Sequence, residues 1–179
     1  PDGEIFEIAE PVALVGFEVT VRNTSTVDTV TIDSMVDVPH GNLLTSVNSD
    51  CAVELAAAGP LAPGESFTCT FDAFVSGNAG DIETDVVTVS GTDDDGFAVS
   101  GDDDADVKVL DVAPVLALSK TAVPVERDEP GGDFVFTLTI TNNSNVSDPV
   151  TITSLSDSQS GATDFAACDA LVDQTIDPG

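Results

Sequence analysis

The chain has 179 residues, with 33 acidic side chains against four basic ones and a formal net charge of −29. A charge of this size and sign repels nucleic acid and anionic membranes and attracts cations. Because 41% of the residues are hydrophobic and they alternate with polar ones, the acidic residues coat a folded protein rather than mark a disordered tail. No apolar run reaches the length of a membrane span and no signal segment opens the chain, so we interpret it as a mature or internal piece.

Short strands are predicted along the first 110 residues. The composition has no Trp and no Tyr and is rich in Val, Thr and Gly, which favours strands and turns over helices. Alternation over 14–22 predicts a core-facing side formed by Val15, Phe17, Val19 and Val21. Turn signals such as APGE and SGNAG separate further predicted strands at 29–36, about 51–55, 66–75, 82–91 and 104–110.

This strand pattern predicts an all-β fold class. Six or seven short, half-buried strands in about 110 residues are typical of an antiparallel β-sandwich with Greek-key connections. The sequence lacks the Trp, the Tyr corner and the cysteine pair across the sheets that mark antibody domains. We therefore expect Ig-like β-sandwiches in architecture only.

The chain contains an internal repeat. FEVTVRNTSTVDTVTIDSMVD (17–37) realigns with FTLTITNNSNVSDPVTITSLSD (136–157) at an offset of 119, which becomes 120 after one inserted residue. The repeat predicts a complete domain at 1–110, a linker at 111–114 and the first half of a second domain at 115–179. That half is interpreted either as a window on a longer repetitive polypeptide or as a half-domain completed by strands of another chain.

The three cysteines are interpreted through the repeat. Cys69 lies on a predicted inward face and Cys51 precedes it by 18 residues, so a local disulfide is predicted. The alternative is a pair of reduced core cysteines. Cys168 is expected to find its partner in the half of the repeat that the second copy lacks. A disulfide would indicate an oxidising, extracellular setting.

Residues 91–106, GTDDDGFAVSGDDDAD, carry two runs of three aspartates. We expect both runs to lie at one end of the domain, together with the loop that holds Asp28. Converging carboxylates suit Ca²⁺, which takes six to eight oxygen ligands. An EF-hand is excluded, because Gly91 stands where the first ligand belongs and no helices flank the loop. The alternative is a solvated acidic rim. The candidate Ca²⁺ ligands are Asp93, Asp94, Asp95, Asp102, Asp103 and Asp104.

Other polar motifs give weaker signals. Asn23, Asn142 and Asn145 each begin an N-x-S tripeptide, which predicts either glycosylation or a turn. His40 is the single histidine, so neither a catalytic triad nor a zinc site is expected, and we predict no enzyme. Lys108 and Lys120 are interpreted as solubilising strand residues, although cross-linking of either one to an asparagine is an alternative.

Four segments carry a resemblance to a known family: TNNSNVSDPVTITSLSDS, LAPGESFTCTF, VSGNAGDIETDVVTVSGTDDDG and SGDDDADVKV. They resemble the tandem immunoglobulin-like repeats, of the DUF11 and CARDB-like kind, of very large secreted prokaryotic surface proteins. The resemblance implies a cell-surface spacer, such as a stalk, adhesin shaft, sheath or filament, and brings no catalytic residues.

We therefore expect a structural repeat segment whose partners are neighbouring repeats or copies of itself, without nucleic acid or membrane insertion. One alternative is an adhesin-type module that binds a glycan or protein, although Trp and Tyr, which favour stacking on sugars, are absent. The other is a filament subunit that polymerises by strand complementation.

Overall fold

The computed structural model describes residues 5–146, 148–158 and 166–179, with the side chains of 166 and 167 excepted. The chain divides into two compact units, Pro1–Asp111 and Val112–Gly179.

The first unit is built from strands and one short helix. Its elements are β1 (Ile5–Ala9), β2 (Val12–Arg22), β3 (Val30–Val38), β4 (Gly41–Asn42), α1 (Cys51–Ala58), β5 (Ser66–Ser76), β6 (Ile82–Asp93) and β7 (Ala98–Leu110). One sheet has the strand order β1-β7-β6-β3-β4, and β2 pairs with β5 in a second sheet. The pairing is antiparallel throughout except that β1 runs parallel to β7.

Both sheets contribute side chains to each of the buried clusters of this unit, an arrangement that fits a β-sandwich. Met35 of β3 packs in the same buried cluster as Phe67 and Phe71 of β5. The inward face predicted for β2 is confirmed, since Val15 is buried and the next three alternate residues are partly buried against the core. The prediction of an all-β chain is thus confirmed at the level of its elements.

Two predicted elements need correction. The strand expected at about 51–55 is the helix α1, because CAVELAAA is rich in Ala, Leu and Glu, which are strong helix formers. The last strand begins at Ala98 rather than at 104. Residues 98 and 99 pair directly with Thr92 and Gly91 across a tight turn, so residues 98–100 begin β7 instead of leaving the sheet.

The second unit contains β8 (Leu116–Val123), β9 (Val135–Asn142), β10 (Val150–Thr151), α2 (Ala166–Asp169) and β11 (Thr175–Ile176). β8 pairs antiparallel with β9, and β10 with β11. The repeat makes β9 the counterpart of β2, yet β2 pairs with β5 whereas β9 pairs with β8. Large apolar side chains stay exposed on this pair, including Leu118 at 64% and Phe136 at 53%.

Candidate functional site

A buried asparagine organises the loop that follows β2. The Nδ2 of Asn23 donates hydrogen bonds of 2.8 Å to the carbonyl oxygens of both Asp28 and Leu61. Its Oδ1 accepts a bond of 2.9 Å from the backbone N–H of Ser25. The side chain is 5% exposed, so it satisfies backbone groups that would otherwise be buried without partners.

The second unit repeats this arrangement atom for atom. The Nδ2 of Asn142 donates to the carbonyl oxygens of Asp148 at 2.7 Å and Ile176 at 2.9 Å. Its Oδ1 accepts from the backbone N–H of Ser144 at 3.0 Å. The internal repeat of the sequence is therefore also a repeat of structure.

These bonds bear on the predicted glycosylation. The nitrogen that a glycan would modify is buried at Asn23 and Asn142 and donates to two carbonyl groups at each. The folded units therefore favour the turn-forming alternative at both positions. The tripeptide that begins at Asn145 ends at Ser147, which lies outside the described residues.

The structure places the two aspartate runs apart. The first forms the β6–β7 turn, where Asp93 Oδ1 accepts from the backbone N–H of Phe97 at 2.8 Å. Asp94 Oδ1 accepts from Thr29 at 3.1 Å, so the loop holding Asp28 does lie at this end. The second run lies within β7 opposite residues 86–88, and the predicted convergence at one end is wrong because residues 98–100 are part of the strand. In the described part of the chain, neither run belongs to a group of three closely spaced metal-ligating side chains. Calcium binding stays a prediction.

The predicted disulfide between Cys51 and Cys69 is confirmed. The two sulfurs are 2.01 Å apart, and both residues are buried. The bond attaches the first residue of α1 to the middle of β5. Cys168 is a free, partly exposed thiol within the described residues.

A cluster of titratable side chains lies between β3 and β6 and was missed by sequence analysis. Asp37 lies near the end of β3, His40 in the turn after it, and Glu83 and Asp85 on β6. The pairing of Asp37 with Val87 brings Asp85 to the same inward face, two residues along the strand. We call these four residues the carboxylate–histidine cluster.

Short contacts hold this cluster together. The backbone N–H of His40 donates to Asp37 Oδ1 at 2.7 Å. The His40 Nε2 lies 2.9 Å from Asp85 Oδ1 and 3.2 Å from Glu83 Oε1, and the contact with Glu83 is the better aligned hydrogen bond. Asp37 and Asp85 are only 1% and 2% exposed.

The two buried carboxylates are under-satisfied. Asp37 Oδ2 and both carboxylate oxygens of Asp85 have no well-aligned hydrogen-bond partner among the described residues. Burial raises the pKa of Asp85 to about 6, His40 partly offsets this rise, and the charges of Asp37 and Glu83 add to it. A buried carboxylate without partners is costly, so the site favours a proton or a cation.

Two kinds of cation fit these donors. Asp37, His40 and Asp85 offer ligand atoms within 4.8 Å of one another. The ligands of a tetrahedral Zn²⁺ lie about 3.3 Å apart, given bonds of about 2.0–2.1 Å, so a small inward shift would form such a site. An ammonium group is the other candidate, because it donates three hydrogen bonds and carries the opposite charge.

Asp37 and Asp85 line a cavity, and a larger groove shares some of the other lining residues of that cavity. The cavity has a volume of about 110 Å³ and is lined by Asp37, Asp85, Phe17, Val19 and Phe71, among others. The groove, of about 940 Å³, runs between residues 19–25 and residues 99–103. In the described part of the chain, β5 is the only strand that pairs with β2, so the other edge of β2 faces this groove without a paired strand.

Comparison of the chain with family models, curated proteins and solved structures finds no match. None of the helices in the described residues combines the length and the apolar character needed to cross a membrane. The repeat, the disulfide and the carboxylate–histidine cluster are therefore the features of the chain that bear on its function.

Proposed function

We propose that this chain is a structural repeat segment of a long extracellular protein, in which tandem Ig-like β-sandwiches with Greek-key connections form a stalk, adhesin shaft, sheath or filament. Its role is to give length, stiffness and solubility at a cell surface, and we assign it no enzymatic activity. Charge supports this role, because a net charge of −29 keeps closely spaced copies soluble.

The observation that carries the proposal is the buried, hydrogen-bonded asparagine that recurs in both units. Asn23 and Asn142 make equivalent sets of hydrogen bonds at positions 119 residues apart. A repeat of this length is a whole domain rather than one turn of a solenoid. Domains of the same design in series are what a spacer requires.

The disulfide supports the extracellular setting. Bonds such as Cys51–Cys69 persist in oxidising compartments and are rare in the cytosol. A local disulfide also limits how far a domain extends when it is pulled. Both properties suit a surface protein under mechanical load.

Immunogold labelling of intact producing cells with antibodies against this chain tests the function. We expect gold particles along extended surface structures, and loss of these structures when the coding segment is deleted. Label confined to the cell interior would contradict the proposal. Compact surface label without extended structures would favour the adhesin-type module.

A further inference from the structure

We propose that Asp37, His40 and Asp85 form a binding site for one Zn²⁺ ion, which would connect the turn after β3 to the paired strands β3 and β6. This site does not depend on the structural role proposed above, because it lies within a single unit. The spacing of the donors, their burial and the difference between the two units support it.

The donor atoms are already close to the spacing that a zinc ion requires. His40 Nε2 lies 2.9 Å from Asp85 Oδ1, and one ligand atom from each of Asp37, His40 and Asp85 lies within 4.8 Å of the others. The ligands of a tetrahedral Zn²⁺ are about 3.3 Å apart, because its bonds to nitrogen and oxygen are about 2.0–2.2 Å long. Small movements of these side chains therefore bring three donors to one ion.

The backbone holds the three donors in place. Asp37 pairs with Val87 across β3 and β6, and Asp85 lies two residues along β6 on the same face. The backbone N–H of His40 donates to Asp37 Oδ1 at 2.7 Å, which fixes the turn and leaves Asp37 Oδ2 for another partner. A site built on paired strands keeps its geometry better than one built on loops alone.

Burial gives the two aspartates a need for a cation. Asp37 and Asp85 are 1% and 2% exposed, and Asp37 Oδ2 and both oxygens of Asp85 lack a well-aligned hydrogen-bond partner among the described residues. In that part of the chain, His40 is the only basic side chain that forms an ion pair with a carboxylate of the cluster. With Glu83 included, three carboxylates face one imidazole, so a single proton on His40 leaves an excess of negative charge. A divalent cation would remove it.

The second unit shows that this position requires a cation. Asp157 is the counterpart of Asp37 in the repeat. It accepts a hydrogen bond from the Nζ of Lys120, so a lysine neutralises this carboxylate in the second unit.

The first unit has a different basic residue for the same purpose. At the offset of 119 the counterpart of Lys120 is Pro1, which has no charged side chain. At the offset of 120 the counterpart of His40 is Ser160. The second unit thus has a lysine and no histidine at these positions, whereas the first has a histidine and no lysine. An imidazole, unlike an ammonium group, is a metal ligand.

The donor set favours zinc over calcium. Calcium prefers oxygen ligands, whereas an imidazole nitrogen suits Zn²⁺ and related transition metals. Glu83 is partly exposed, and its Oε1 lies 3.2 Å from the same His40 Nε2, so it offers a fourth donor at the edge of the site.

Nuclear magnetic resonance of the imidazole tests the site directly. The chain has a single histidine, so a ¹⁵N-labelled chain without a histidine tag gives one pair of ring nitrogen signals. The chain carries Cys168→Ser, which removes the free thiol, and the buffer contains excess CaCl₂ to occupy exposed carboxylates. We expect ZnCl₂ to replace the Nε2 signal by a new one, with the change complete at one equivalent. CaCl₂ alone should leave the signal in place.

Calorimetric titration of ZnCl₂ in the same buffer tests the ligands. Asp37→Asn and Asp85→Asn should each weaken binding about 100-fold or more, since even the loss of a group that only supports a metal ligand costs 10–100-fold. The matched control is Asp33→Asn, which removes the same charge from an exposed position on β3 and should bind Zn²⁺ as tightly as the unchanged chain.

Denaturation with a chelator present separates metal binding from folding. Asp85→Asn should then be at least as stable as the unchanged chain, because an amide is buried at less cost than a carboxylate. Its loss of zinc affinity could not then be attributed to unfolding.

Three results would overturn the proposal. They are an unchanged His40 signal at one equivalent of ZnCl₂, a change that needs several equivalents, and equal weakening by Asp33→Asn and Asp85→Asn. None of them affects the immunogold result, so failure of the zinc site is distinguishable from failure of the structural role.

Discussion

Asp85 is the residue whose ionisation most directly opposes folding. Burial raises its pKa to about 6 in the folded chain, above its ordinary value near 3.8, so the folded state holds the proton more tightly than the unfolded state. Below about pH 4 this difference in pKa does not affect the free energy of unfolding, because Asp85 is protonated in both states. As the pH rises from about 4 to 6, the difference lowers the free energy of unfolding, by roughly 3 kcal/mol in full.

We therefore predict that Asp85→Asn stabilises the isolated chain at high pH. The free energy of unfolding should rise by about 2–3 kcal/mol at pH 8 and change little at pH 4, because the amide cannot ionise. Chemical denaturation of the unchanged chain and of Asp85→Asn at several pH values gives the difference between their free energies of unfolding. The contributions of the other acidic groups are common to both proteins and cancel in this difference. Burial of Asp85 is the largest cause of its raised pKa, which His40 lowers and the charges of Asp37 and Glu83 raise further. Equal stabilisation at pH 4 and pH 8 would contradict this explanation.

The residues of the cluster show what single-sequence reasoning can and cannot find. Asp85 lies on the same face of its strand as Val87 and Val89, and Asp37 on the same face as Met35. Strand periodicity alone could therefore have indicated two inward carboxylates. His40 gave no such signal, because it belongs to a turn. Its approach to Asp85 depends on the pairing of β3 with β6, which is a long-range contact.

At the scale of the strand, Gly91 is a position where no side chain fits. A Cβ built there would lie 2.0 Å from the carbonyl oxygen of Thr31, on the neighbouring strand at an irregularity in the pairing. We predict that Gly91→Ala costs about 2–4 kcal/mol, because a backbone atom must move.

The matched control is Gly101→Ala on β7, where a Cβ would meet nothing within 4 Å. It should leave stability unchanged or raise it by up to about 1 kcal/mol, since alanine restricts the unfolded chain. Thermal or chemical denaturation compares the two variants. Equal effects would show that the crowding at Thr31 is relieved elsewhere.

The disulfide stabilises α1 and its attachment to β5. The helix has eight residues, which is too few for stability on its own. In the chain-entropy model, closing a loop of this length contributes about 3 kcal/mol. We predict a loss of this size for the double variant Cys51→Ala and Cys69→Ala by chemical denaturation. Cys168→Ser, which removes a free thiol, should change little.

Hydrophobic periodicity predicted the positions of the strands better than it predicted which strands pair with each other. The alternation of β2 and β5 identified buried faces correctly, because each strand has one side in the core. The parallel pairing of β1 with β7 depends on residues about 100 positions apart and leaves no local pattern. The helix at 51–58 was missed because a short apolar run fits a strand or a helix equally well.

At the scale of the whole molecule, the charge of −29 predicts a strong dependence on salt. Carboxylates repel one another less in the unfolded chain, where they are further apart, so the melting temperature should rise as NaCl screens them. Addition of CaCl₂ at equal ionic strength tests the predicted calcium site. A further rise of the melting temperature, reversed by chelator, would support that site, and no further rise would contradict it.

The last prediction concerns extension under force. If the chain is a mechanical spacer, a concatemer of the full chain carrying Cys168→Ser should unfold in discrete steps when it is stretched by atomic force microscopy. The 18-residue separation of Cys51 and Cys69 is held closed by the disulfide. Reducing agent should therefore lengthen each step from the first unit by about 6 nm, at roughly 3.5 Å per residue.

The control concatemer carries Cys51→Ala and Cys69→Ala, and its step length should not depend on the reducing agent. Steps of the longer kind before reduction would show that the bond does not limit extension. Extension without discrete steps would show that the first unit offers no mechanical resistance. Since a spacer must resist pulling domain by domain, that result would contradict the structural role itself.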